Sequence, residues 1–178
     1  MSPKERSPYA REPLSVTLAG AHLAVPYAPA AVWVNALCEG SGHFTLITSL
    51  LPERDTAAVV DRVLNGGVTL EDVQKAAESL LSAAAPYSWW KTARLLSASA
   101  RQDIAGSLTL SGLDPWELTP AQWATAVYAS LVKGLESKDK FKVDAVLDDP
   151  PAGVTDEWMD ESEFQAMIAA ARNAPGQR

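Results

Sequence analysis

Read for apolar spacing, the chain divides into one alternating stretch followed by a long helical run. In PLSVTLAGAHLAVPY, Leu14, Val16 and Leu18 share one face, Ala19-Gly20-Ala21 can turn, and Leu23 and Val25 return. The pattern predicts a small β-hairpin. Two strands alone are marginal in water, so the apolar face needs helices or another chain against it. After Pro26 the period becomes helical. Ala30–Cys38 reads as a short apolar helix entered through Pro29 and closed by Gly40-Ser41-Gly42. Residues 43–51 are rich in β-formers but lie among helices and are read as one. Residues 56–64 put Ala57, Val60 and Leu64 on one side and stop at Asn65-Gly66-Gly67. Thr69, with Asp72 three residues on, starts a helix whose stripe is Leu70, Val73, Ala77, Leu80, Leu81 and Ala84. Pro86 breaks the chain. A helix over 87–96 contains Trp89-Trp90, and 104–110 continues the helical layer to Gly112.

The stretch GLDPWELTPAQWATAVYASL contains the sharpest local signal. Thr119-Pro120-Ala121-Gln122 is a capping box with proline where its missing donor costs nothing. Behind it Trp123, Ala124, Val127, Tyr128, Leu131, Val132 and Leu135 fall on one stripe. Residues 137–147 follow, loosely patterned around Phe141, Val143 and Val146.

At 148 the character shifts. Residues 148–164 hold seven acidic residues and no basic one, with Pro150, Pro151 and Gly153 marking a linker. A last helix is predicted from Asp160, capped with Glu163, with Phe164, Met167, Ile168 and Ala171 at helical spacing. The expected organisation is a flexible arm over 1–12, a helical domain with an N-terminal hairpin over 13–147, an acidic linker over 148–159, and an amphipathic helix and tail over 160–178. The fold class is mainly α: a compact helical domain with a small N-terminal β-hairpin and an acidic C-terminal tail. There is no internal repeat.

Composition narrows the function. A chain of 178 residues, 47% of them hydrophobic, suits one compact domain. Its net charge of −7 argues against nucleic acid and anionic membrane surfaces as partners, since phosphate binding needs clustered Lys and Arg. No apolar run reaches the ~18 residues that span a bilayer. The N-terminus, MSPKERSPYAREP, has no apolar core of the kind a secretory signal needs. A lone cysteine, Cys38, fits a reducing cytoplasm.

Candidate chemistry is thin. Cys38, His43 and His22 are too few and too scattered for a four-ligand zinc site. Ser41 in GSGH lacks the strand and G-x-S-x-G of a nucleophile elbow. The GSG and NGG turns lack the Lys-Ser/Thr of a phosphate loop, and the acids of 148–163 lack calcium-loop spacing. No metal or cofactor is expected, and an enzyme would need His22, His43, Asp103 or Asp114 to converge. The aromatic residues stand out instead: six tryptophans in an acidic helical chain. Such rings serve the core first, but they also anchor interfaces. Trp89 and Trp90 are adjacent and cannot share one direction, so one is expected to face the core and the other sideways or outward, where, beside Lys91 and Arg94, it would suit a protein partner. Trp116 or Trp123 is expected near a groove rim. The candidate partner-binding residues are therefore Trp89, Trp90, Trp116 and Trp123 on the body, with Phe164, Met167 and Ile168 on the tethered last helix.

The element order, a hairpin in PLSVTLAGAHLAVPY and then helices carrying WW, DPW and LTPAQW, resembles the tail assembly chaperones of long-tailed actinobacterial phages over roughly residues 12–151. The resemblance implies a non-enzymatic factor of the bacterial host cytoplasm that binds a tape measure or tail tube protein and assists tail tube assembly, with homo-oligomers possible. In that family two versions often come from one message by a programmed frameshift, and there are no catalytic residues to carry over. Other classes compete: a virion component such as a head–tail adaptor, an undetected enzyme, and a generic helical protein-interaction module.

Overall fold

The computed structural model describes residues 13–39 and 42–151. The arm at 1–12, the Gly40-Ser41 pair and the terminal helix expected from Asp160, with Phe164, Met167 and Ile168, lie outside the described residues, as does Trp158.

Strands β1 (Leu14–Leu18) and β2 (Ala21–Val25) pair antiparallel, with Leu14 opposite Val25, Val16 opposite Leu23 and Leu18 opposite Ala21. Ala19 and Gly20 close the turn at φ 45° and 79°, the doubly left-handed turn whose twist matches that of the strands. Val16, Leu18 and Val25 are buried; Ser15, Thr17, His22 and Ala24 face outward.

Eight helices follow among the described residues: α1 (Ala30–Cys38), α2 (Gly42–Leu50), α3 (Glu53–Leu64), α4 (Leu70–Ala84), α5 (Trp89–Ala98), α6 (Gln102–Leu110), α7 (Pro120–Val132) and α8 (Ser137–Asp148). The β-forming composition of α2 yields to tertiary packing. Its buried His43, Leu46, Ile47 and Leu50 recur at 3.6-residue spacing, which only a helix turns to one side. Helix α3 differs from expectation in two ways. It starts at Glu53 rather than Thr56, because Pro52 sits ready at φ −57° and Glu53 and Asp55 favour a first turn. It buries Val59 and Val63, while Ala57 is exposed and Val60 and Leu64 are half-buried. Helix α5 starts at Trp89, not Tyr87, because the Ser88 hydroxyl accepts from the Lys91 amide at 3.4 Å.

Both capping boxes form. The Thr69 hydroxyl accepts from the Asp72 amide at 3.2 Å while the Asp72 carboxylate accepts from the Thr69 amide at 2.9 Å. Thr119 and Gln122 repeat the exchange at 3.2 and 2.9 Å. The α7 stripe is buried at Trp123, Ala124 and Val127, half-buried at Tyr128, Leu131 and Val132, and ends with the helix; Leu135 lies past it and is exposed.

One continuous core joins these elements. Helix α4 packs on β1, α2 and α5, and α5 packs on α1, α7 and α8 as well. Small Ala76 and Ala77 on α4 let its neighbours close around Leu80 and Leu81, and Trp33 of α1 is the largest fully buried side chain. No helix among the described residues is long and apolar enough to cross a membrane.

Candidate functional site

The loop between α6 and α7, Ser111 to Thr119, is built from three local devices. Gly112 at φ 73° ends α6: its amide donates to the Thr109 carbonyl and that of Leu113 to the Leu108 carbonyl, the paired bonds of a glycine helix stop. The Asp114 carboxylate then accepts from the Trp116 amide at 2.9 Å, folding the chain back on itself. Thr119 closes the loop as the cap of α7.

The middle of the loop is tied to a distant element. Helix α1 is preceded at its cap position by Pro29, which makes no side-chain cap, and carries no acid in its first turn. Its opening donors are met from the loop: the Ala30 amide donates to the Leu118 carbonyl at 2.9 Å and the Ala31 amide to the Pro115 carbonyl at 3.0 Å. The two carbonyls do for α1 what a cap residue does elsewhere. Between them Trp116 stands 60% exposed, a large ring on a backbone fixed at both ends and in the middle. Leu110, the last residue of α6, is 91% exposed. A fixed, outward tryptophan loses little freedom on binding, which is what an interface anchor requires.

The other described tryptophans serve the interior. Trp123 is 4% exposed and sits in the core, so the expectation of a groove-rim position does not hold for it. The reason is its place directly behind the α7 cap, on the face that Ala124 and Val127 also bury. Trp89 and Trp90 are both half-buried and meet edge to face at 5.7 Å and 87°. His43 adds a second edge contact to Trp89 at 6.2 Å. Neither ring stands fully outward. The indole N–H groups of Trp33, Trp90 and Trp123 have no acceptor among the described residues, so these rings are held by their area and not by hydrogen bonds.

Lys91 and Arg94 also turn inward, onto α8. The Lys91 side chain is only 12% exposed, with its ammonium 2.7 Å from the Asp148 carboxylate. The same ammonium lies 5.5 and 5.4 Å from the ring centres of Tyr87 and Tyr128, within cation–π range. Arg94 donates to the carbonyls of Val146 and Asp149 at 2.8 and 2.6 Å. The Tyr128 hydroxyl donates to the Asp144 carboxylate at 2.6 Å, which pushes its pKa up to about 12, because a phenolate there would face a carboxylate. Asp148, read from the sequence as the first residue of a linker, thus ends α8 and fastens it. This clasp of residues far apart in sequence left no local signal.

The residues named as enzyme candidates stand on separate elements: His22 on β2, His43 on α2, Asp103 on α6 and Asp114 in the loop after it. His22 lies on the outward face of the hairpin and bonds Thr17 at 2.9 Å, whereas His43 is buried in α2. Asp103 is paired with Arg101 at 2.9 Å, and Asp114 is committed to its loop. Cys38 is exposed on α1, and what burial it has pushes its thiol pKa up. No group of three or more His, Cys, Asp and Glu that could hold a metal ion is found among the described residues.

The fold defines a class and no more: a mainly α-helical domain carrying an N-terminal β-hairpin. No protein-family model matches the chain, and no curated protein or solved structure matches it.

Proposed function

We propose that the protein is a non-enzymatic tail assembly chaperone of a long-tailed phage, acting in the host cytoplasm by holding the tape measure protein while the tail tube is built. Two supports carry this reading. One is the resemblance of the hairpin-then-helices order and of GLDPWELTPAQWATAVYASL to that family. The other, which carries the binding mode, is Trp116 held outward on a loop fastened to α1. A tape measure protein is a long helical polymer, and an exposed aromatic anchor suits the apolar stripe of a client helix.

The test is titration of the purified protein with fragments of a phage tape measure protein. Native protein is expected to bind, and Trp116→Ala to lose at least about tenfold in affinity at unchanged melting temperature. Failure of the native protein to bind any fragment would sink the reading. Stoichiometric presence in purified particles would replace it with the virion-component reading.

A further inference from the structure

Helix α8 turns one side to the body and leaves the other bare. Leu147 is buried, Val143 and Asp144 are half-buried, and Asp144 accepts from the Tyr128 hydroxyl. The opposite side is made of Lys138, Phe141, Lys142, Ala145 and Val146, all exposed, each about one helical turn from a neighbour on the same face. Among the described residues Phe141 and Val146 are the only large exposed apolar side chains that share an element. The lysine stems between them add aliphatic surface. Charge is graded along the helix. Lys138 and Lys140 make no ion pair among the described residues, Lys142 pairs with Asp139 at 2.7 Å, and the chain leaves through Asp148 and Asp149.

The sequence that follows carries the matching pattern. Phe164, Met167, Ile168 and Ala171 are spaced for one helical stripe, Asp160 and Glu161 stand one turn ahead of Phe164, and Arg172 one turn after Ile168. We propose that residues 160–172 dock as a helix on the bare side of α8 in the same chain, parallel to it, with the Phe164 stripe on Phe141, Ala145 and Val146.

The parallel register satisfies both ends at once. With Asp160 and Glu161 beside Lys138, Phe164 lies over Phe141 and Lys142, Ile168 over Ala145 and Val146, and Arg172 beside Asp149. The antiparallel register would set Asp160 and Glu161 against Asp148 and Asp149, and Arg172 against Lys138. The connection is long enough for the parallel return. Helix α8 has 12 residues and so spans about 18 Å. Residues 149–159 reach about 36 Å when drawn out, and Asp149 already leaves the helix extended, at φ −68° and ψ 117°. An antiparallel neighbour needs a loop of only about 2–5 residues. The tether holds the segment near α8 at an effective concentration in the millimolar range, so its own chain outcompetes a second copy in dilute solution. Trp116 is a poorer seat, because Asp114 and Glu117 flank it and would repel the acids of 156–163.

Hydrogen exchange of the full chain, read on peptides covering 160–172, tests this. Native protein is expected to exchange there at least about tenfold more slowly than an unstructured chain of the same sequence, at a rate independent of protein concentration. Phe141→Gln combined with Val146→Gln keeps good helix formers on an exposed face, and should return the segment to nearly unstructured rates while α4 and α5 keep theirs. Lys138→Glu should speed exchange of the segment several-fold, although an acid in the first turn favours α8 itself. Adding Asp160→Lys and Glu161→Lys to that chain should restore the slow rate. Unstructured rates in the native segment overturn the inference. So does protection that survives the loss of Phe141 and Val146, or protection that grows with concentration, which would make a second copy the seat. A Lys138→Glu loss that the reversed charges fail to rescue overturns the parallel register.

Discussion

Trp116 and Trp123 flank the cap of α7, and one turn of chain separates opposite environments. Trp123 lies among core residues and Trp116 in solvent. Trp123→Ala is expected to cost about 3–5 kcal/mol in urea unfolding, whereas Trp116→Ala should stay within about 0.5 kcal/mol. Equal losses would mean that Trp116 is part of the core after all. The stripe rule read from the sequence placed Trp123 on the apolar face of its helix, but a tryptophan does not announce whether that face is covered, and only packing decides it. Tyr128 makes a second prediction at this scale. Its ordinary value is 10.0, and the Asp144 hydrogen bond raises the folded value to about 12, so the folded state holds the proton more tightly than the unfolded one. The stabilisation is complete below pH 10 and lost as pH climbs through 12. Native protein should therefore lose melting temperature more steeply across that window than Tyr128→Phe. Parallel slopes would show that the bond to Asp144 is not made in solution.

Among elements, α4 and α7 were legible to the residue at their starts because a capping box is written within four positions. Thr69→Ala should cost about 1 kcal/mol by removing the acceptor for the Asp72 amide, measured by thermal or denaturant unfolding. An unchanged stability would mean that the α4 cap contributes nothing. Helix α8 was legible only as a loose helix, since its attachment is long-range and largely polar. It buries Leu147 but leaves Phe141 and Val146 exposed, and it is held by Lys91, Arg94 and Tyr128. Apolar periodicity cannot register such a clasp. Lys91→Ala should speed amide hydrogen exchange along α8 several-fold while leaving α4 and α5 protected, as expected for a locally opening unit. High salt should act in the same direction through the exposed side of the Lys91–Asp148 pair. Exchange in α8 that is unaffected by both changes would show that the Lys91–Asp148 pair does not hold it.

At the scale of the molecule, the core runs unbroken from Val16 in the hairpin to Leu147 in α8, so hairpin and helices should melt together. Tryptophan fluorescence and far-ultraviolet circular dichroism are expected to give coincident transitions, and Val16→Ala to lower both midpoints equally. Separate midpoints would make the hairpin an independent appendage. The helical body with a leading hairpin was readable because the switch from a two-residue to a 3.6-residue period is sharp at Pro26. The loop that presents Trp116 was not, since nothing near Pro29 says that its helix is capped from so far along the chain. That borrowed cap has a consequence for biosynthesis. The ribosome delivers α1 early and its capping carbonyls, Pro115 and Leu118, much later. A nascent chain halted at Gly112 holds an α1 whose opening amides have no protein acceptor. Until the loop emerges those two amides are left to water, and the surface bearing Trp116 is completed in the same event that caps α1.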